Sequence, residues 1–227
     1  MKDGRPTRSQ APNMEGGVAR WYAKVRGSAP QLAEVRTTAE RLVADLSSDA
    51  SDAEVLEVAP GPGYLSIELA RLGCHVAALD LSRSFVEMVG ENARRAGVSI
   101  DVRQGDAARL PFEPDSFDLI VCQAAFKNFG EPGAVLDEMH RVLRAGATAV
   151  IHDMSSEVTH ADIDHEVKSM GLNPVASVMT KVPLLGLRRR AYSPAEFQRL
   201  AAESAFGGCT VTTEGISMEV RLTKQAA

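Results

Sequence analysis

The stretch Glu54 to Tyr64, E-V-L-E-V-A-P-G-P-G-Y, constrains the fold more than any other part of the chain. Val55 to Val58 is a short apolar run carrying one acid, Glu57, and reads as a buried strand. It breaks into a turn with glycines at 61 and 63. Leu65, Ile67, Leu69, Ala70 and Leu72 then continue at helical spacing up to Gly73, a residue suited to ending a helix. Strand, glycine turn and helix open a nucleotide-binding βαβ unit. Such turns use glycine because a ligand approaches the backbone too closely to leave room for a Cβ.

The turn's own chemistry narrows the ligand. A dinucleotide turn has the pattern G-x-G-x-x-G, with backbone N–H groups aimed at a pyrophosphate. Counting from Ala59 the sixth position is Tyr64, and counting from Gly61 it is Ser66, so neither frame fits. Pro60 and Pro62 also lack an N–H, which removes two phosphate donors. The turn suits a ligand that comes close without bringing a phosphate, and S-adenosylmethionine is such a ligand.

The segment Glu57-Val-Ala59-Pro-Gly61-Pro-Gly63 resembles the first motif of class I S-adenosylmethionine-dependent methyltransferases, acidic-x-Gly-x-Gly-x-Gly. Ala59 stands where that motif has its first glycine, and its added methyl calls for a negative φ there. Asp80, followed by Leu81, closes the next strand and is placed to accept both ribose hydroxyls, a role an acid also plays in NAD sites. Asp106, in Gln104-Gly-Asp106-Ala107, is similar to the family's adenine-recognition acid, with the Ala107 backbone at the ring edge. The segment Phe117 to Gln123 resembles the fourth motif, with Cys122 and Gln123 emerging beside the sulfonium. The resemblance covers residues 53–154 and implies S-adenosylhomocysteine as the spent cofactor.

Acceptor-side residues follow from a narrower likeness to methyltransferases of quinone biosynthesis and secondary metabolism. It implies that Phe126-Lys127-Asn128-Phe129 lies over the transferred methyl and that Trp21-Tyr22 belongs to an N-terminal lid, residues 14–46. The plainer readings stand beside these: Phe126 and Phe129 as core, Lys127 as a solvated helix residue, Trp21-Tyr22 as one face of an amphipathic helix. His152, read as ending the fifth strand, faces the crevice and is the first candidate for a general base, with Tyr22 and Lys127 as further catalytic candidates.

Strands at 74–80, 98–103, 117–122 and 148–152 alternate with helices started near Ser82 or Ser84 and ended at Gly97 and Gly146. That alternation predicts an α/β, Rossmann-like fold with a mostly parallel seven-stranded sheet and helices on both faces. A hairpin at 209–223 around Glu214-Gly215 closes it antiparallel. Residues 1–13 read as a disordered tail and 14–227 as one domain, with 154–191 an acceptor-side insertion. The cluster His160, Asp162, Asp164, His165 and Glu166 reads as helix-start chemistry, and no metal is expected.

Of the 227 residues, 44% are hydrophobic, enough for one domain's core. The net charge of −5 disfavours a nucleic-acid partner. Three scattered cysteines form no C-x-x-C pair, and no apolar run approaches the length of a membrane span. The expectation is a cytoplasmic monomer or homodimer, without a membrane partner, that methylates a small-molecule acceptor. A non-methylating cofactor-binding protein, such as a cyclase or binding module, is the alternative. A nicotinamide-dependent reductase is disfavoured, since none of Tyr22, Tyr64 and Tyr192 has a lysine four positions on.

Overall fold

The computed structural model describes residues 14–46, 49–169 and 174–226, so the expected tail at 1–13 lies outside the described residues. In chain order the strands are β1 (Glu54–Val58), β2 (His75–Asp80), β3 (Asp101–Gln104), β4 (Phe117–Gln123), β5 (Leu143–Met154), β6 (Thr210–Glu214) and β7 (Ser217–Thr223). They form one seven-stranded sheet in the order β3-β2-β1-β4-β5-β7-β6. The first five run parallel, and β7 runs antiparallel to both β5 and β6. This is the expected sheet, with its terminal hairpin.

Helices α1 (Gly16–Arg26) and α2 (Ala29–Ala44) precede the sheet, divided at Gly27 and Pro30 as their sequence predicts. Between strands come α3 (Tyr64–Arg71), α4 (Arg83–Ala96) and α5 (Pro132–Val142), and after β5 come α6 (His160–Ser169), α7 (Pro174–Arg188) and α8 (Pro194–Ala202). Ser82, not Ser84, caps α4: its hydroxyl accepts the Phe85 N–H. Ser84 instead bonds the Glu15 carboxylate at 2.6 Å, while Glu87 pairs with Arg83. The sequence Ser193-Pro-Ala-Glu196 has the pattern of a capping box, and α8 starts with one, Ser193 and Glu196 exchanging bonds.

Because side chains alternate along a strand, the sheet divides into two cores. Leu56, Val58, Ile120, Cys122 and Ile151 pack against α5 and α8, with Leu136, Met139 and Phe197 fully buried. Val55, Leu119, Val121 and Val150 face α2 and α3, meeting Ala39, Leu42, Leu65 and Leu69. A smaller cluster of Met154, Val158, Ile163 and Val167 holds α6 beneath Leu184 and Leu185 of α7. Asp162, in the acidic cluster noted above, accepts the Thr159 hydroxyl at 2.7 Å at the start of α6, and Asp164 pairs with Lys181 of α7.

β5 differs most from its sequence reading. It starts directly after α5 at Leu143, runs through Gly146 and ends at Met154, two residues beyond the expected end. Pairing to both β4 and β7 extends it, since β7 meets it residue for residue from Thr148 to Met154.

Candidate active site

β1 leaves the sheet between β2 and β4, where successive connections diverge to opposite sides, and open α/β sheets hold ligands at that point. The turn that follows is locked through its backbone. Ala59 has φ +57, the opposite of the negative φ expected of it. Its N–H donates to the Leu79 carbonyl at 2.8 Å, tying the turn to the end of β2 and holding the left-handed conformation against the methyl's steric cost. The Gly61 N–H donates to Asp80 Oδ2 at 3.2 Å and the Gly63 N–H to the Pro60 carbonyl at 3.1 Å. Every amide hydrogen from 59 to 63 is therefore missing or already used. Gly63, at φ +79, caps α3, and a Cβ on it would come within 2.9 Å of Val89. From α4, Asn92 Nδ2 donates to the Pro62 carbonyl at 3.0 Å and fixes the far side of the turn.

Two acids back this turn. Glu57 shares the α3 face of β1 and is buried, its carboxylate accepting the Ser66 hydroxyl and N–H at the first turn of that helix. Burial pushes its pKa up to about 7, against the pull of those bonds. Asp80 accepts the Ser82 N–H at 2.9 Å on Oδ1 and the Gly61 N–H on Oδ2. Burial raises it to about 6, with the backbone N–H groups of Ser82, Gly61 and Leu81 pulling it down. A carboxylate has about four lone-pair sites, so these donors leave it acceptor capacity.

These groups open onto one cleft. Its walls include Glu57, Ala59, Gly61, Asp80, Leu81, Asp106, Ala107 and Gln123, and, across from them, Tyr22, Asn128 and Phe129. Asp106 combines the turn role with wall position: Oδ1 accepts the Ala108 N–H at 3.0 Å and Oδ2 pairs with Arg109 at 3.2 Å. Tyr22 sits edge-on to Phe85 with ring centroids 5.9 Å apart. Burial raises its phenol pKa, with Arg26 opposing, so it stays a neutral donor.

Other predicted residues fall outside the cleft. Gly63 is structural, as described above. Trp21 is 58% exposed while its neighbour Tyr22 turns inward. Phe126 is fully buried, its ring 4.9 Å from Phe197 and 5.8 Å from Tyr192, so of the two phenylalanines one is core and the other wall. Cys122 points into the α5 core, where burial pushes its thiol pKa up, and only Gln123 reaches the cleft. Lys127 is neither solvated nor facing the cleft: its ammonium is buried, 2.6 Å from Asp153 Oδ1.

His152 is displaced by the greater length of β5. Two residues short of the strand's end, it shares the α2 face with Val150 and lies off the cleft walls. Its Nε2 meets Glu219 Oε2 at 2.5 Å, and Nδ1 faces Gln123 Nε2 at 3.3 Å. The expected view into the crevice thus belongs to Gln123, with His152 behind it. Arg41 and Arg221 also bond Glu219, and these bonds hold its pKa at about 2 although burial opposes them. None of the described residues from 154 to 191 lines the cleft.

Tyr64, Arg26 and Met14 also line the cleft and were not among the candidates. Tyr64 donates its hydroxyl to the Ala23 carbonyl at 2.9 Å and so ties α3 to α1. Arg26, brought in by that contact, is the only cationic side chain among the described walls. Met14 accepts from the Ser82 hydroxyl at 2.7 Å, while the Glu15 carboxylate accepts the Arg83 and Ser84 N–H groups at 3.0 and 3.1 Å, closing α1 onto α4. The Glu15 signal is readable in retrospect as an acid available to a helix start, but its partner lies 68 residues away.

A family described as a methyltransferase domain matches residues 56–151, from β1 through β5. Residues 56–151 thus match a methyltransferase domain, and the fold is the one found in solved S-adenosylmethionine-dependent methyltransferases. Over 126 residues the domain is 36% identical to the demethylmenaquinone methyltransferase of Clavibacter sepedonicus, covering 56% of this chain and 49% of that protein. Over 97 residues it is 34% identical to the ubiquinone biosynthesis O-methyltransferase of Xylella fastidiosa, covering 42% and 39%. The chain thus spans about half the length, or less, of these curated relatives. A solved Methanococcus maripaludis protein shares the fold with a TM-score of 0.71 at 19% identity, covering 98% of this chain and 99% of that one. The family's cofactor is S-adenosylmethionine, and the cleft's chemistry fits it. The turn offers no phosphate donors, Asp80 retains acceptor capacity, and Arg26 lines the same cleft.

Proposed function

We propose that this protein transfers the methyl group of S-adenosylmethionine to a small-molecule acceptor. The observation that carries the reading is the turn at 59–63, which brings its backbone to the cleft wall while leaving no N–H for a phosphate. In this reading Asp80 accepts from the ribose, Asp106 and the Ala107 backbone meet the adenine, and Arg26 pairs with the carboxylate. A charge-assisted bond of this kind contributes about 1.5–3 kcal/mol. Gln123, Asn128, Phe129 and Tyr22 form the acceptor side, with α1 as its cover.

When bound, the cofactor supplies an electrophilic methyl, so the chain's work is alignment. Holding a nucleophile in line with the S–CH₃ bond contributes up to about 7–11 kcal/mol. Two aromatic rings and two neutral amides suit a flat, uncharged acceptor. The quinone-directed names of the curated relatives support testing phenols and quinols first. His152 acts here as a positioning residue: with Nε2 held between Glu219 and Arg41 and Nδ1 facing the Gln123 amide nitrogen, it sets that side chain's plane.

Incubation of the protein with methyl-labelled cofactor and a panel of phenols and quinols tests the proposal. Label appearing in an acceptor supports it. Tight binding of S-adenosylhomocysteine without transfer to any acceptor favours a cofactor-binding module. Binding of NAD(H) with no affinity for S-adenosylmethionine sinks the reading altogether.

A further inference from the structure

The acceptor-side wall hangs on a buried ion pair that never touches the cleft. We infer that Lys127 and Asp153 act as a clamp that holds the Gln123–Phe129 loop in its strained, ligand-facing conformation. This rests on the functional reading only for what the loop faces, not for the clamp itself.

β4 ends at Gln123, and the next residue, Ala124, has φ +55, a conformation that an L-residue with a Cβ adopts only under constraint. Its N–H donates to the His152 carbonyl at 2.7 Å, and its own carbonyl accepts from Lys127 Nζ at 2.5 Å. The same ammonium reaches Asp153 Oδ1 at 2.6 Å, and the Lys127 N–H reaches Oδ2 at 3.1 Å. Asp153 is in turn fixed by the Met154 N–H at 2.8 Å and by its place in β5. Lysine and aspartate side chains are 3% and 5% exposed. The lysine therefore ties the reversed peptide at 124 to the next strand at both its backbone and its side chain.

Phe126 anchors the loop from the opposite side, in the aromatic core with Phe197. Between these two fixed points the chain makes a short 3-10 turn, Phe126–Asn128, and presents Asn128 and Phe129 to the cleft. An apolar anchor alone would hold the loop against the core but leave the peptide at 124 free to relax. The ion pair supplies that missing constraint. A buried pair is weak evidence for stability, since an apolar pair of similar volume often serves as well, and positional specificity is its better-attested use.

The test uses the full chain and removes both charges together, as Lys127→Met with Asp153→Leu, so that neither is left unpaired. Hydrogen exchange of the amides from 123 to 129 is compared with that of β1 and β4, in the absence of ligand. The clamp predicts at least tenfold faster exchange confined to the loop, with the strands unchanged. Because Gln123 and Ala124 line the same cleft as Asp80, the double variant should also bind S-adenosylhomocysteine at least tenfold more weakly by calorimetry, and adding Ala124→Gly, which removes the steric strain, should return that affinity at least halfway to wild type. Unchanged loop exchange overturns the inference, as does a uniform rise across the sheet, which marks plain structural support. Failure of Ala124→Gly to rescue affinity also overturns it. If the wild-type protein itself binds no S-adenosylhomocysteine, the functional reading fails, while the exchange measurement still decides the clamp.

Discussion

The two walls of the cleft are built by opposite means. On the cofactor side, Gly61 and Ser82 donate backbone N–H groups into Asp80, and Ser66 donates into Glu57. Main-chain geometry there fixes the acids, and the acids fix the turn. On the acceptor side a side-chain ion pair and a buried phenylalanine hold the loop. The first wall depends on where glycine and proline fall in the sequence. The second depends on contacts between β4, β5 and α8, all distant in the chain. A binding surface for an invariant ligand can be written into the backbone, whereas a surface for a variable acceptor is better left to side chains on a rigid mount.

That contrast breaks most readily at Lys127. Changed alone to methionine, it strands the Asp153 carboxylate, and urea unfolding should show a loss of about 3–5 kcal/mol. A loss below 1 kcal/mol would mean that the pair does not carry the acceptor wall. Glu57 tests the other side. Its pKa is raised from 4.5 to about 7, so its contribution to stability is full below 4.5 and is lost as pH rises to 7. The difference is roughly 3 kcal/mol. Melting of the ligand-free protein should therefore favour pH 5 over pH 7, and Glu57→Gln should flatten that window.

Asp80→Ala should weaken S-adenosylhomocysteine binding at least tenfold by calorimetry, about 1.4 kcal/mol or more. Since its pKa is raised to about 6, affinity in the wild type should also climb between pH 5 and pH 7 as the carboxylate ionises. Equal affinities for wild type and variant would remove the ribose assignment. Arg26→Gln should cost a smaller factor, several-fold, and less at high salt, because the side chain is only partly buried. Ala59→Gly is the mildest change. Relief of the left-handed conformation and the entropy cost of glycine nearly offset, leaving a gain of about 1 kcal/mol or less. A melting rise of about 2–4 °C marks the upper end.

The sequence made the cofactor wall legible because its signals are local: an acid, two prolines and two glycines within seven residues say which N–H groups exist. The strand alternation and the α8 capping box were legible for the same reason. Arg26 and Tyr64 were not, since their arrival at the cleft depends on how α1 docks over α3, a contact 41 residues apart in the chain. Phe126 and Phe129 carry the same side chain three positions apart, and only the turn between them decides which is core. His152 was misplaced by a single quantity, the length of β5. With the strand continuing to Met154, His152 is set back within the sheet, on the α2 face it shares with Val150, and Gln123 is left at the edge. Even Ala59 followed a sound local rule that the Leu79 hydrogen bond overrides.

The outward turn of Trp21 has a practical side. It is the chain's one tryptophan, placed on the solvent face of α1 while the adjacent Tyr22 faces the interior. Fluorescence of the whole protein thus reads a single helix, and any ligand that tightens or loosens α1 should register as a change in indole emission without a label being added.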